Sequence, residues 1–223
     1  MLRYNLNNVK ILVGGVAVRR YPAEMPAKAR KKRPSAYHHG DLRDALVRAA
    51  RRILEKEGIA QLSLRRVARA AGVSPAAPYH HFADKQALLD AIATQGFAGL
   101  TTEMRARMAR ESDPAGRLDA SGVGYVVFAV ENPTLFQLMF SGDGRRSSGD
   151  TALKAARDSA YGVLQAAVAD TSVDGTANPL VCLRLWSLVH GIAKLIVERS
   201  IKPSDYGAAD SEALAVRVLR SEV

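Results

Sequence analysis

The sequence predicts an all-α protein, and three observations support this fold class. Apolar residues recur every three or four positions over 42–54, 64–71 and 88–97, which places them on one face of a helix. Aromatic residues make up only 6% of the 223 residues, while Ala, Leu and Arg, which favour helix, are common. Apart from the apolar run 9–18, no segment alternates between apolar and polar residues as a strand does.

The first 36 residues are predicted to be a disordered basic arm. Residues 1–40 carry nine Lys and Arg and one acidic residue, and the cationic block 28–33 (KARKKR) repels itself. The net charge is +5 over 41–110 and −3 over 111–223. This asymmetry suggests an anionic polymer as the partner of the basic end, although a solvated tail without a role explains the charge equally well. Met25 opens an alternative start of translation.

Composition favours a cytoplasmic protein without a membrane span. The single cysteine, Cys182, excludes an intramolecular disulfide framework and fits a reducing compartment. No apolar run is expected to reach the 18 residues that a membrane span requires. The run Val9–Val18 resembles a short signal-peptide core, but its two central glycines, the following Arg19–Arg20 pair and the lack of a small-residue cleavage site argue against export.

Start and stop signals divide the chain into helices. Asp41 and Gly58 bound the first apolar stripe, Ser63 and Gly72 bound a shorter one, and Asp84 begins a longer one. Between them, a helix is predicted from Pro75 to about Phe82. Breaks rich in Pro, Gly, Asn and Ser then predict five more helices at about 115–131, 133–140, 150–169, 179–199 and 208–220.

Residues 63–82 (SLRRVARAAGVSPAAPYHHF) have the pattern of a helix–turn–helix. Gly72 suits the left-handed backbone of the turn, and Ser63 and Ser74 suit the N-caps of the two helices. Pro75 fits the first helical position, and Ala76 and Ala77 are small enough for the helix to enter a major groove. The alternative is an αα-hairpin with no role in binding DNA.

Residues 37–100 resemble the DNA-binding domain of the TetR family. The resemblance lies in YHHGDLRDALVRAA, GIAQLSLRRVARAAGVSPAAPYHHFADKQALL and the signature Tyr79, His81, Phe82 and Lys85. It implies that Tyr79 and Lys85 contact phosphates, and that Phe82 packs inward. The residues agree, because Lys85 lies at a helix N-terminus and a tyrosine hydroxyl is a good phosphate donor. The full predicted DNA-binding set is Ser63, Arg65, Ser74, Pro75, Ala76, Ala77, Tyr79, His80 and Lys85.

Two features qualify this resemblance. Pro78 falls at the fourth position of the predicted recognition helix, where it removes a hydrogen-bond donor and clashes with the preceding turn. A distorted or partly 3₁₀ helix is therefore predicted there. Arg65 and Arg66 fit equally well on a solvated helix face and on a DNA-contacting one.

The C-terminal half predicts a helical domain that binds a ligand and forms a dimer. The phrase Trp186-Ser-Leu-Val-His190-Gly191, together with 132–140, resembles the TetR-like regulatory domain named for its tryptophan, histidine and glycine. Trp186 and His190 share a helix face. They are predicted to line a pocket with Phe128, Phe136 and Met139. The alternative is a core histidine beneath a tryptophan, with Met139 and the phenylalanines as plain core.

The predicted organisation is an arm (1–36), a DNA-binding domain (37–100) and a ligand-binding and dimerisation domain (101–223). The family resemblance implies a homodimer through 179–199 and 208–220. It also implies a regulator, most simply a repressor, that binds a palindromic operator and is released by a small, largely apolar ligand. An activator, a non-sensing regulator and a small helical enzyme with a basic arm are the alternatives. No nucleophile elbow, phosphate-binding glycine loop or spaced histidine pair is present in the sequence, so we predict no enzyme activity, cofactor or metal.

Overall fold

The structure is a computed structural model that describes residues 39–141 and 151–221. Within these ranges every regular element is helical, which confirms the predicted all-α fold class. The predicted basic arm, the run Val9–Val18 and most of the loop predicted at 141–149 lie outside the described residues.

Eight α-helices follow one another along the described chain, with short 3₁₀ helices at Ile59–Gln61, Ala77–His80 and Pro203–Tyr206. The α-helices are α1 (His39–Glu57), α2 (Leu64–Ala71), α3 (Lys85–Met108), α4 (Pro114–Glu131), α5 (Pro133–Phe140), α6 (Thr151–Thr171), α7 (Pro179–Val197) and α8 (Ser211–Arg220). Their bounds match the predicted ones closely, except that no α-helix forms over 75–82 and α8 begins three residues later than predicted.

Side-chain caps fix where several helices begin. Asp84, Asp113, Asn178 and Asp210 each accept a hydrogen bond from a backbone N–H of the following first turn, at 2.8–2.9 Å. These bonds satisfy donors that have no partner within a helix. The late start of α8 follows from the cap at Asp210.

α3 and α4 are the two central helices of the fold, against which most of the other helices pack. α4 packs against α3, α6, α7 and α8, and its buried residues run from Ser121 to Ala129. α3 continues through residue 100, where a domain boundary is predicted, and one hydrophobic core extends from Leu46 in α1 to Ala215 in α8. α3 is therefore a rigid link between the helix–turn–helix region and the C-terminal helices.

Candidate nucleic-acid interface and ligand cavity

The turn after α2 has the geometry that a helix–turn–helix needs. The Ser63 hydroxyl caps α2 as predicted, accepting from the Arg66 N–H at 3.3 Å. Gly72 ends α2 with a φ of 71°, in the left-handed region that favours glycine. The N–H groups of Gly72 and Val73 both donate to the Ala68 carbonyl, so this carbonyl at the end of α2 has hydrogen-bond partners. The chain therefore leaves the α2 axis at a defined point.

The helix predicted from Pro75 to about Phe82 forms only as a short 3₁₀ helix. The Ser74 carbonyl accepts a hydrogen bond from the Ala77 N–H at 3.0 Å. An α-helix would use the N–H of residue 78 instead, but Pro78 has none. The chain forms the 3₁₀ helix Ala77–His80, which confirms the distortion predicted from Pro78. Ser74 therefore precedes a turn and does not cap an α-helix.

Two buried side chains anchor this 3₁₀ helix. Pro78 is buried, and Phe82 is 2% exposed with the Arg43 guanidinium 5.4 Å from its ring centroid. Tyr79 between them is 53% exposed. The predicted DNA-contacting residues that lie exposed on this segment are Ser74, Pro75, Ala76, Tyr79 and His80, whereas Ala77 is partly buried.

Lys85 lies at the start of α3, next to the same segment. Its Nζ donates to the Ile59 carbonyl at 2.7 Å, which ties the start of α3 to the 3₁₀ helix after α1. Because an ammonium group has three donors, two remain for phosphate oxygens. The backbone N–H groups of the first turn of α3 lie nearby, although the Ala87 N–H is already bonded to Asp84.

The two arginines at the start of α2 have different surroundings. The Arg66 guanidinium binds the Glu57 carboxylate and the Gln61 side chain, so it is held within the protein. Arg65 is exposed, and no hydrogen bond or ion pair holds its guanidinium among the residues described. Of the two, Arg65 is the one that can reach DNA without breaking an existing contact.

A cavity of about 490 Å³ lies among the C-terminal helices and α3. This volume falls in the range of sites that hold small organic molecules. The apolar side chains that line it include Phe97, Leu100, Met104, Met139, Phe140, Leu164, Leu185, Trp186 and Val189. The charged side chains at its wall are Asp119, Arg157 and Asp158.

Comparison with known proteins identifies the family of the chain. Residues 46–92 match the family model described as "Bacterial regulatory proteins, tetR family". Residues 118–221 match the model described as "Tetracyclin repressor-like, C-terminal domain". Together the two matches cover more than half of the chain. The chain belongs to the TetR family.

Individual relatives agree with this membership. The HTH-type transcriptional regulator BetI of Rhizobium meliloti (strain 1021) is 36% identical over 78 residues, which are 35% of this chain and 38% of BetI. The match thus spans less than half of BetI. A solved protein of unknown function from Rhodococcus sp. RHA1 is 32% identical, with a TM-score of 0.67 over 84% of this chain and 98% of that one.

A more distant structure supports the fold alone. The TetR family transcriptional regulator PfmR of Thermus thermophilus is 22% identical, with a TM-score of 0.54 over 80% of this chain and 98% of PfmR. The two family matches, and not this structure, make the chain a DNA-binding transcriptional regulator with an N-terminal helix–turn–helix domain and a C-terminal helical domain.

The cavity of this TetR-family protein is lined by two of the five residues predicted to bind a ligand. Met139 and Trp186 line it, whereas Phe128, Phe136 and His190 do not. The rings of Phe136 and His190 contact each other, with centroids 5.5 Å apart and planes tilted by 38°. Phe128 packs against α3, because a Cβ added at Gly99 would lie 3.1 Å from its ring. Phe136 and His190 each contact Tyr125 and Phe140, which do line the cavity.

Tyr125 is a cavity-lining polar group that sequence reasoning missed. Its hydroxyl lies 2.8 Å from His190 Nδ1, and the residue is 6% exposed. Burial raises the pKa of Tyr125, while burial and the nearby Lys194 charge lower the pKa of His190. Both shifts favour a neutral hydroxyl–imidazole pair. His190 therefore hydrogen-bonds a residue of the cavity lining without lining the cavity itself. Tyr125 could have been noticed in the sequence within the apolar run YVVFAV of α4.

α7 exposes an apolar surface along one side. Leu180, Leu183, Leu188 and Leu195 are 75%, 50%, 38% and 44% exposed. A Cβ added at Gly191, between the last two leucines, would meet nothing within 4 Å. The exposed side chains of α8, by contrast, are charged and bonded within the chain: Arg107 donates to Glu212, and Arg220 to Asp119. The unpartnered apolar surface thus belongs to α7.

The same helix meets the length and composition of a membrane span. Within the described residues α7 is the one helix that does so. If α4 and α5, which are bent by 108° at their junction, are counted as one span, they form a second. The expectation that no apolar run reaches this length is therefore wrong, because Arg184 and Lys194 are the only charged residues in α7. Such a helix is weak evidence for a membrane, since an apolar face that binds a protein partner has the same composition.

Proposed function

We propose that this protein is a cytoplasmic, ligand-responsive repressor that binds a palindromic operator as a homodimer. A small, largely apolar molecule in the cavity releases it from DNA. The observation that carries this proposal is the double role of α3. Lys85 at its start follows closely on the 3₁₀ helix Ala77–His80, while Phe97, Leu100 and Met104 further along α3 line the cavity.

α5 offers a second connection between the cavity and the helix–turn–helix region. Met139 lines the cavity and packs so closely on α3 that a Cβ at Gly96 would lie 2.6 Å from its sulfur. At the other end of α5, Asn132 accepts a hydrogen bond from the Arg51 guanidinium of α1 at 2.7 Å. A ligand that moves Met139 therefore shifts α5 against both α1 and α3. It releases DNA only if it binds the non-DNA arrangement better.

Footprinting on the DNA upstream of the protein's own gene tests the proposed binding of a palindromic operator by a dimer. We expect two protected half-sites related by a two-fold axis, because two copies of one helix–turn–helix must meet successive major-groove faces. Their centres should lie about 34–36 Å apart, or a multiple of that distance. Protection of one asymmetric half-site by a single subunit would overturn the palindromic, dimeric mode.

Tyr79→Phe and Lys85→Ala should each weaken binding by a similar factor on operator and scrambled DNA. The reason is that both side chains are assigned to phosphates, which carry no sequence information. Losing the Lys85 contact should also reduce the slope of log affinity against log salt by about one. Titrations at several salt concentrations measure both effects.

The matched control is Tyr206→Phe. Tyr206 is also 53% exposed but lies just before α8, far along the chain from the helix–turn–helix. Its loss should leave DNA affinity unchanged. A changed base preference at one operator position in either Tyr79→Phe or Lys85→Ala would contradict the phosphate assignment.

A further inference from the structure

The charged groups at the cavity wall are not equally neutralised. Asp119 accepts a hydrogen bond from Arg220 Nε at 3.0 Å, and Asp158 pairs with Lys154 Nζ at 2.6 Å. Arg157 takes part in none of the ion pairs among the described residues. Among the described residues, Arg157 is therefore the one charged group of the cavity wall without an ion-pair partner.

The surroundings of Arg157 suit an anion. The guanidinium lies 5.8 Å from the ring centroid of Phe97, and the residue is partly buried on the cavity side of α6. A guanidinium beside an aromatic ring keeps N–H donors that can bind a carboxylate with two parallel hydrogen bonds. A partly desolvated cation beside apolar side chains gains most from a partner that brings a negative charge.

We infer that the cavity takes an apolar molecule carrying one carboxylate, with the carboxylate bound by Arg157 and the apolar part lying against Leu100, Met104 and Trp186. This inference rests on the proposed function, because it names the class of ligand for the same cavity. A cationic ligand would be repelled by Arg157, and the two carboxylates of the cavity wall that could attract it already have partners. A neutral apolar ligand would leave the guanidinium uncompensated.

Decanoate and decan-1-ol are suitable probes, since they share an alkyl chain and differ in charge. Trp186 is the only tryptophan of the chain and lines the cavity, so its fluorescence reports binding without DNA. We expect the full-length protein to bind decanoate about tenfold more tightly than decan-1-ol, because a charge-assisted hydrogen bond to Arg157 stabilises the decanoate complex by this factor. Arg157→Gln should abolish this preference by weakening decanoate alone, while Arg157→Lys should keep part of it.

Arg105→Gln is the matched control. It removes one positive charge from an exposed position on α3 that does not line the cavity, so the preference for decanoate should persist. Equal binding of decanoate and decan-1-ol to the unmodified protein would overturn the inference. So would an equal loss of both ligands in Arg157→Gln, or an equal loss of decanoate preference in Arg105→Gln.

The outcome is separable from that of the proposed function. If footprinting finds a palindromic operator but decanoate shows no preference, the carboxylate inference fails and the proposed operator binding stands. If decanoate binds through Arg157 but no two-fold operator exists, the cavity assignment stands and the proposed operator binding fails.

Discussion

Leu188→Glu combined with Leu195→Glu is expected to make the protein monomeric and to weaken operator binding by about 100-fold or more. The two leucines lie on the exposed side of α7, on either side of Gly191. In the proposed homodimer these leucines pack against the partner subunit, and two charges placed there cannot be solvated, so the subunits should separate. A monomer then loses the gain from binding two half-sites at once. Sedimentation equilibrium and gel shifts measure the two effects.

The fold of the single subunit should survive this change. Leu188 and Leu195 are 38% and 44% exposed in the chain, so glutamates there remain hydrated in the monomer. Val173→Glu is the matched control, because Val173 is a fully exposed apolar residue in the connection between α6 and α7. It should leave both dimerisation and DNA binding intact. A double variant that stays dimeric would show that the subunits meet elsewhere.

The helix bounds could be predicted because the signals that set them are local. Asp84, Asp113 and Asn178 each bind the first turn of the helix that follows, and Pro133 begins α5 directly after Asn132. Such signals depend on two or three neighbouring residues and survive whatever the tertiary packing is. The 3₁₀ helix after Gly72 was harder to delimit. Pro78 predicts a distortion, but how far it extends depends on how the segment packs.

The cavity could be predicted only in part, because its lining depends on how helices rotate against one another. Trp186 and His190 share a face of α7 by spacing, yet only Trp186 reaches the cavity. His190 instead meets Tyr125 and Phe140. Nothing in the sequence around Arg157 predicts that it lines a cavity. It lies in the segment KAARDSA of α6, where it resembles a solvated surface residue. Only the packing of α6 on α3 brings it over Phe97.

Ala160→Phe should abolish the response to ligands while leaving DNA binding intact. Ala160 is buried on α6 and lines the cavity, so a phenyl ring added to its Cβ occupies space that a ligand needs. The helix–turn–helix region has its own anchors in Pro78 and Phe82, so it keeps its geometry. Overpacking is expected to cost about 1–3 kcal/mol at most, because the cavity has room for the ring.

N-phenyl-1-naphthylamine, a neutral dye that fluoresces in apolar surroundings, tests this prediction without assuming a charged ligand. The unmodified protein should bind the dye, and excitation of Trp186 should then be transferred to the bound dye and appear as dye fluorescence. Ala160→Phe should lose that fluorescence. Ala166→Phe adds the same ring on the exposed side of α6 and should behave as the unmodified protein. Gel shifts with each compound that releases the unmodified protein from its operator complete the test. If Ala160→Phe is released by the same concentrations, ligands act from a place other than this cavity, and the link from the cavity through α3 to Lys85 does not carry the response.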